Sequence, residues 1–318
     1  MLVIGAFAAV WLVWGSTYLA IAWAVETIPP LVMIGVRCVV AGTVLYGWTR
    51  LRGGPRPTAG DWRAAAVAGT LMFVTGQSLL AWGETRIASG PAALLVATEP
   101  LFIVLLTWRG GRLVGCSRPG PRPSSRAFAA LVGGFAGVGL LVLPGGDLRL
   151  DGVGVVATLF ASASWSVGVS HARSRPGLSA VQVAGMQLLA SGAILSLLAV
   201  VTGGWSTTMA RGPSARSLLA LGYLIVFGSL VTFTAYSWLL ERVGPARLST
   251  HAYVSPVVAV VLGGILGGEL VTGPLVAALA LVLGSVAVLV RKEEHRDAPA
   301  ERDVRAPRLE PVGEAGSD

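Results

Sequence analysis

Apolar residues run along this chain in blocks of near twenty, separated by short connections rich in arginine, glycine and proline. An α-helix rises 1.5 Å per residue, so a block of about twenty apolar residues matches the hydrocarbon thickness of a bilayer. Ten blocks can be read, at 2–24, 30–49, 62–82, 91–108, 127–143, 153–171, 180–201, 217–239, 246–266 and 272–290. The third and eighth carry some polar residues but keep the length. The pattern predicts an all-α integral membrane protein with ten transmembrane helices and no inserted soluble domain. The first block has no basic residues before it and no soluble domain after it, so it reads as a first span and not as a cleaved signal peptide. Residues 291–318 mix both signs of charge, are rich in proline and lack an apolar face, which predicts a disordered cytoplasmic tail.

Composition agrees. Of 318 residues 54% are apolar and 13% charged, about half the charged fraction of a typical soluble domain. The net charge of +8 comes from 24 basic residues, all arginine except Lys292. With the spans drawn as above, 19 of them fall on one side and only Arg86, Arg149, Arg211 and Arg216 on the other, with Arg37 inside a span. This asymmetry is the positive-inside pattern, which places both termini in the cytoplasm and makes the charge a matter of topology instead of a nucleic-acid footprint. Cys38 lies in a span and Cys116 in an arginine-rich loop, too few for a disulfide framework or a metal cluster.

The chain also repeats itself. "GVRCVVAG" (35–42) matches "GMQLLASG" (185–192), and Trp14 matches Trp165. "WGETRI" (82–87) matches "WLLERV" (238–243), and "TEPLFIVLL" (98–106) matches "VSPVVAVVL" (254–262). The spacings are 150, 151, 156 and 156 residues. The two units, 1–145 and 150–290, hold five spans each. An odd number inverts the second unit in the membrane, which is the build of many secondary transporters, with the binding site at the midplane where the repeats meet.

In their order through both halves, "WGSTYLAI", "PPLVMIGVR", "ALLVATEPLF" and "AYVSPVVAVVLGGILGGE" resemble the drug/metabolite transporter superfamily, in particular its EamA-repeat exporters of ten helices. The resemblance covers residues 2 to about 290. It implies export of a small organic solute: an amino acid or derivative, a pigment or a drug-like cation. One departure is visible. The second half has "GGEL" (267–270) where the first has "GGRL" (110–113), so Glu269 has no acidic counterpart.

Candidate chemistry centres on Glu99. It stands halfway along the fourth span, where a charged side chain costs on the order of 3 kcal/mol or more unless it faces a cavity or a partner. Pro100 removes one backbone hydrogen bond and frees a carbonyl a turn earlier, which predicts a kink, with Pro256 as its counterpart. The second half has Ser255 in the place of Glu99, so the prolines belong to the fold while the acid is an addition. Glu99 reads as a site for a cationic substrate group or a coupling proton, or alternatively as a carboxyl tying two helices together. His251, one turn before Ser255, could relay a proton or bridge helices. Trp14 with Tyr18, and Trp165 with Ser162 and Ser166, read as facing walls of a substrate cavity suited to stacking a ring or cation, with helix packing as the alternative. Gln77 could add a hydrogen bond. Arg37 could hold a substrate carboxylate, but the favoured reading is that it caps carbonyls of a neighbouring broken helix. Trp23, Trp48, Trp62, Trp82, Trp108 and Trp238 fall near span ends as an aromatic belt, and Trp205 falls in a loop.

The glycine pairs in "GGFAG" (133–137) and "GGILGG" (263–268) are helix-packing faces. No HExxH, GxSxG or Walker A sequence occurs, so neither enzyme chemistry, a cofactor, a metal nor a nucleotide is expected. Transport would then run on a gradient, with protons as one candidate coupling ion. The rivals are an intramembrane enzyme acting on a lipid, built on His251 and nearby serines, and a membrane partner protein that moves nothing.

Overall fold

The structure, a computed structural model, describes residues 2–109, 122–142, 150–171, 177–232, 234–236, 238–239 and 251–288. The tail expected to be disordered, Cys116, Arg242 and Arg247 lie outside the described residues.

Every regular element among the described residues is helical. Helices α1 (Leu2–Val25) and α2 (Pro30–Leu51) are continuous spans, and Pro30 opens α2 where a missing N–H costs nothing. The third span is composite: α3 (Ala59–Gly69), a π-helix π1 (Thr70–Gln77) and α4 (Ser78–Gly83). The fourth is split into α5 (Ser89–Val96) and α6 (Glu99–Arg109). Then come α7 (Ser125–Val142), α8 (Gly152–His171), α9 (Ala180–Val201) and a short α10 (Gly204–Arg211). The eighth span begins with α11 (Ala215–Tyr223) and a second π-helix, π2 (Leu224–Val231). Helix α12 (His251–Leu266) runs through Pro256, and α13 (Gly273–Val288) follows.

Among the described residues, seven helices, including Val3–Val25 and Ala180–Val201, are long and apolar enough to cross a membrane, and Ser125–Leu141, Val254–Leu266 and Gly273–Val288 are shorter apolar helices. Large apolar side chains face outward, including Leu12, Phe160, Leu197, Leu219 and Ile265. Such a surface needs lipid around it, and the chain is an all-α integral membrane protein.

Local signals set the helix starts. Thr58 and Asp61 form a reciprocal capping box at α3. Ser179 and Ser214 cap α9 and α11, and the Asp151 carboxylate accepts from Val153 and Gly154 N–H at α8. Trp205, expected in a loop, instead lies in α10 and packs on the core. Gly203, at φ 71°, makes the left-handed turn that starts this extra helix.

Helices α2 and α9 cross through the glycines of the two matching stretches. A Cβ on Gly42 would stand 2.8 Å from the Leu189 backbone nitrogen, and one on Gly185 would stand 2.7 Å from that of Tyr46. Gly192 meets Val39 in the same way, and Gly35 meets Leu195. The contacts are reciprocal, each glycine of one helix opposing a larger residue of the other. Small residues at these crossings let two backbones approach within the membrane. Around this pair, α1 packs along α12, and α8 packs along π1, α4, α5 and α6.

Candidate substrate site

The two irregular places in the first half, π1 and the break in the fourth span, are both stitched by the serines of α8. Pro100 has no N–H for the carbonyl of Val96, four residues earlier. Ser162 Oγ donates to that carbonyl at 3.3 Å. Thr98 Oγ1 turns back to the Leu95 carbonyl at 2.5 Å, and Ser166 Oγ bridges the Ser162 and Glu99 carbonyls at 2.9 and 3.2 Å. On a second face of α8, Ser164 Oγ meets Thr75 Oγ1 at 2.6 Å and donates to the Leu71 carbonyl at 2.8 Å, inside π1. A carbonyl without a partner in the membrane interior would be costly, and these hydroxyls remove that cost.

The π-helices share one design. Ser78 Oγ donates to the Phe73 carbonyl at 3.2 Å, and Thr232 Oγ1 donates to the Phe227 carbonyl at 2.6 Å, each five residues back. The backbone N–H groups of Ser78 and Thr232 bond the same carbonyls. Arg37, buried in α2, donates from Nε to Ser229 Oγ at 2.9 Å and from Nη2 to the Gly228 carbonyl at 3.5 Å. It thus caps π2, the role expected of it. π-Bulges inside longer helices are frequent at functional sites.

Glu99 heads α6 at the break. It is half-buried, and no cationic side chain among the described residues pairs with it. Tyr18 of α1 and Tyr236 of the eighth span both lie within electrostatic reach of its carboxyl. Tyr236 in turn belongs to an aromatic group with Trp14 and His251. The Trp14 ring lies 5.2 Å from Tyr236 and 4.8 Å, edge-on, from His251, and Tyr236 and His251 are 6.0 Å apart. The structure therefore brings Glu99, Tyr18, Trp14 and His251 into one neighbourhood, with Tyr236 as a member that sequence reasoning missed. Trp165 stands edge-on to Phe73 of π1 at 5.7 Å. Gln77, at the end of π1, has a buried Oε1 without a hydrogen-bond partner, and so does the Oγ of Ser255. Ser255 sits where α12 meets α1: a Cβ on Gly15 would stand 2.9 Å from its carbonyl oxygen.

At the end of the bundle that carries Glu84, Glu269 closes onto the start of α5. Its carboxylate accepts from Ser89 N–H at 2.8 Å, Ser89 Oγ at 2.6 Å and Gly90 N–H at 2.9 Å. Arg86 pairs with Asp151 at 3.0 Å, and Arg216 with Glu26 at 3.3 Å. Among the described residues, belt tryptophans carry arginines on their faces, Trp48 with Arg52, Trp82 with Arg86 and Trp23 with Arg216, at 4.4 to 4.5 Å. A groove of about 470 Å³ between α7 and α13, lined by Arg126, Ala130, Gly284 and Ser285 among others, shares no residue with the Glu99 group.

The profile of the EamA-like transporter family matches residues 1–110 and 152–291, the greater part of the chain. The chain belongs to this family. Its inner-membrane relative in Escherichia coli K12, "Uncharacterized inner membrane transporter YedA", is 36% identical over 267 residues, 83% of each chain. "Protein PecM" of Dickeya dadantii is 25% identical over 89% of this chain and 92% of its own. The "Probable terminal-alkyne amino-acid exporter" of Streptantibioticus cattleyicolor is 26% identical over 87% and 90%. A crystal structure at 23% identity superposes with a TM-score of 0.61 over 91% of this chain and 96% of the other, a likeness of fold. This EamA-family chain is a multi-pass membrane transporter of the bacterial inner membrane.

Proposed function

We propose that this transporter is a secondary exporter of a small organic solute bearing a cationic group, such as an amino acid derivative, and that it works by alternating access around Glu99. One observation carries the reading. A carboxyl with no cationic partner among the described residues stands at the break of a membrane span, faced by Tyr18 and Tyr236 and backed by Trp14 and His251. Carboxylate and aromatic faces together suit an ammonium group, and a carboxyl at that depth changes charge with what occupies the site. A proton can therefore replace the cation, which couples export to proton entry. The relative named as an amino-acid exporter agrees with such a solute.

The architecture in this reading is two inverted five-helix repeats, 1–145 and 150–290, with both termini in the cytoplasm. The reciprocal glycine contacts of α2 and α9, the paired π-helices and the arginine asymmetry support it. In this reading Trp165, Gln77, Ser162 and Ser166 form the far side of the site and Ser255 lies on the side of His251 and Trp14, with Pro100 and Pro256 shaping the two helices that flank it. The reading of an enzyme built on His251 and a serine has less support, since Ser255 Oγ makes no hydrogen bond to a base.

The test is solute counterflow into vesicles holding the purified protein, run over a panel of amino acids, amines and their derivatives. The reading expects at least one cationic or zwitterionic solute to accumulate chemically unchanged. No counterflow across the panel, or conversion of a lipid instead, would overturn it.

A further inference from the structure

Glu84 has no place in the site described so far. It directly follows the third span, at the C-terminus of α4, and is only 7% exposed. Neither carboxylate oxygen has a hydrogen-bond partner. The titratable groups facing it are Glu269, from the turn between α12 and α13, and Tyr18, from α1. The Ala22 backbone also faces it, but an N–H inside α1 is committed to that helix's own ladder. Arg86, two residues on, turns away to Asp151 and to the face of Trp82. The two neighbouring carboxyls are thus unequal. Glu269 accepts three short bonds from the start of α5. Glu84 accepts none. An ionised carboxylate buried without donors beside a second carboxylate is strongly unfavourable, and a bound proton removes most of that cost.

We propose that Glu84 is a proton-binding site of this transporter, placed at the end of the bundle that carries Glu269 and joined to the Glu99 neighbourhood through Tyr18. Tyr18 lies within electrostatic reach of both acids. Burial first, then the Glu269 charge, push the Glu84 carboxyl well above the usual carboxylate range, against a smaller opposing pull from the Ala22 backbone. A proton from water at the bundle end settles on a Glu84 oxygen, neutralises it, and leaves again when that end opens. The role of this site in transport rests on the proton-coupled reading of Glu99. The proton on Glu84 itself does not, and it can be read separately.

The experiment is an infrared pH titration of the full-length protein in lipid nanodiscs, following the stretch of neutral carboxyl groups in wild type, Glu84→Gln, Glu99→Gln and Glu269→Gln. Glu84→Gln should lose one neutral-carboxyl band, and Glu99→Gln should keep that band. Glu269→Gln should move its titration to lower pH, because a like charge has been removed. A Glu84→Gln protein with the complete wild-type signal would overturn the proposal. Should that variant fail to give a monodisperse protein, the Glu269→Gln shift decides: an unmoved titration overturns the assignment. If Glu99→Gln transports as wild type while the Glu84 band remains, the transport reading fails and the Glu84 site stands.

Discussion

Removing the Ser162 hydroxyl should destabilise the protein only while Pro100 is present. Pro100 denies the Val96 carbonyl its helical donor, and Ser162 Oγ replaces that donor at 3.3 Å. Hydrogen bonds between helices in a bilayer are worth about 0.6 kcal/mol on average and up to about 1.7. This bond is at the long end of the range, but the carbonyl has no other donor among the described contacts, so Ser162→Ala should cost about 1 kcal/mol in the wild-type background. In a Pro100→Ala background the new residue 100 has an N–H that can reach the same carbonyl. There the cost should fall to about 0.3 kcal/mol or less. The coupling of about 0.7 kcal/mol is a factor of about 3 in the unfolding equilibrium, which reversible unfolding in mixed micelles resolves when the four proteins of the cycle are compared. An equal cost of Ser162→Ala on both backgrounds would refute the claim that α8 stitches the proline break. Ser162 would then be left as a wall of the substrate site alone.

Gly42→Val and Gly185→Val place side chains against partner backbones at 2.8 and 2.7 Å and should each lower stability by about 1–3 kcal/mol, while Gly47→Ala, with nothing within 4 Å, should be neutral or stabilising; micelle unfolding measures all three. Reporter fusions after Gly53 should be active in the cytoplasm and fusions after Gly203 outside it, and the reverse result would invert the proposed topology. The Asp151 carboxyl is held below the usual carboxylate range, first by the Gly154 N–H and then by Arg86 and the Val153 N–H. A depressed folded-state pKa means its cap on α8 is complete above the unfolded value and is lost as pH falls through the folded one. Amide exchange at the start of α8 should therefore rise in acid, and Asp151→Asn should flatten that dependence.

Much of the fold was legible because lipid makes strict demands on sequence. A span must be long and apolar, so described helices such as α2, α8 and α9 lie within a few residues of the blocks read from the chain. The matching stretches at 35–42 and 185–192 could be recognised because only small residues fit at the α2–α9 crossing. Glu99 and Pro100 stood out as a charge and a missing donor in an otherwise apolar run.

The π-helices were not legible. "TLMFVTGQ" and "LIVFGSLV" look like any apolar segment. What distinguishes them is a hydroxyl five residues after an accepting carbonyl, Ser78 to Phe73 and Thr232 to Phe227, a spacing with no familiar sequence signature. The serines of α8 suggested a polar wall from their helical spacing, which says which face they share but not that their hydroxyls meet backbone carbonyls of π1 and α5. The Glu269 contact with Ser89 joins residues 180 apart in the chain. Its only trace was the acid in "GGEL" that the first half lacks. Tyr236, among the apolar and aromatic residues of its span, gave no signal apart from its neighbours.

The central claim is that Glu99 switches between substrate and proton. Its most direct test compares two modes of transport by Glu99→Gln in the same vesicles, using a solute found by counterflow. Accumulation driven by a pH gradient should be lost while solute exchange across the membrane survives, since exchange moves no net proton. Accumulation in Glu99→Gln with wild-type affinity, turnover and gradient dependence would contradict it.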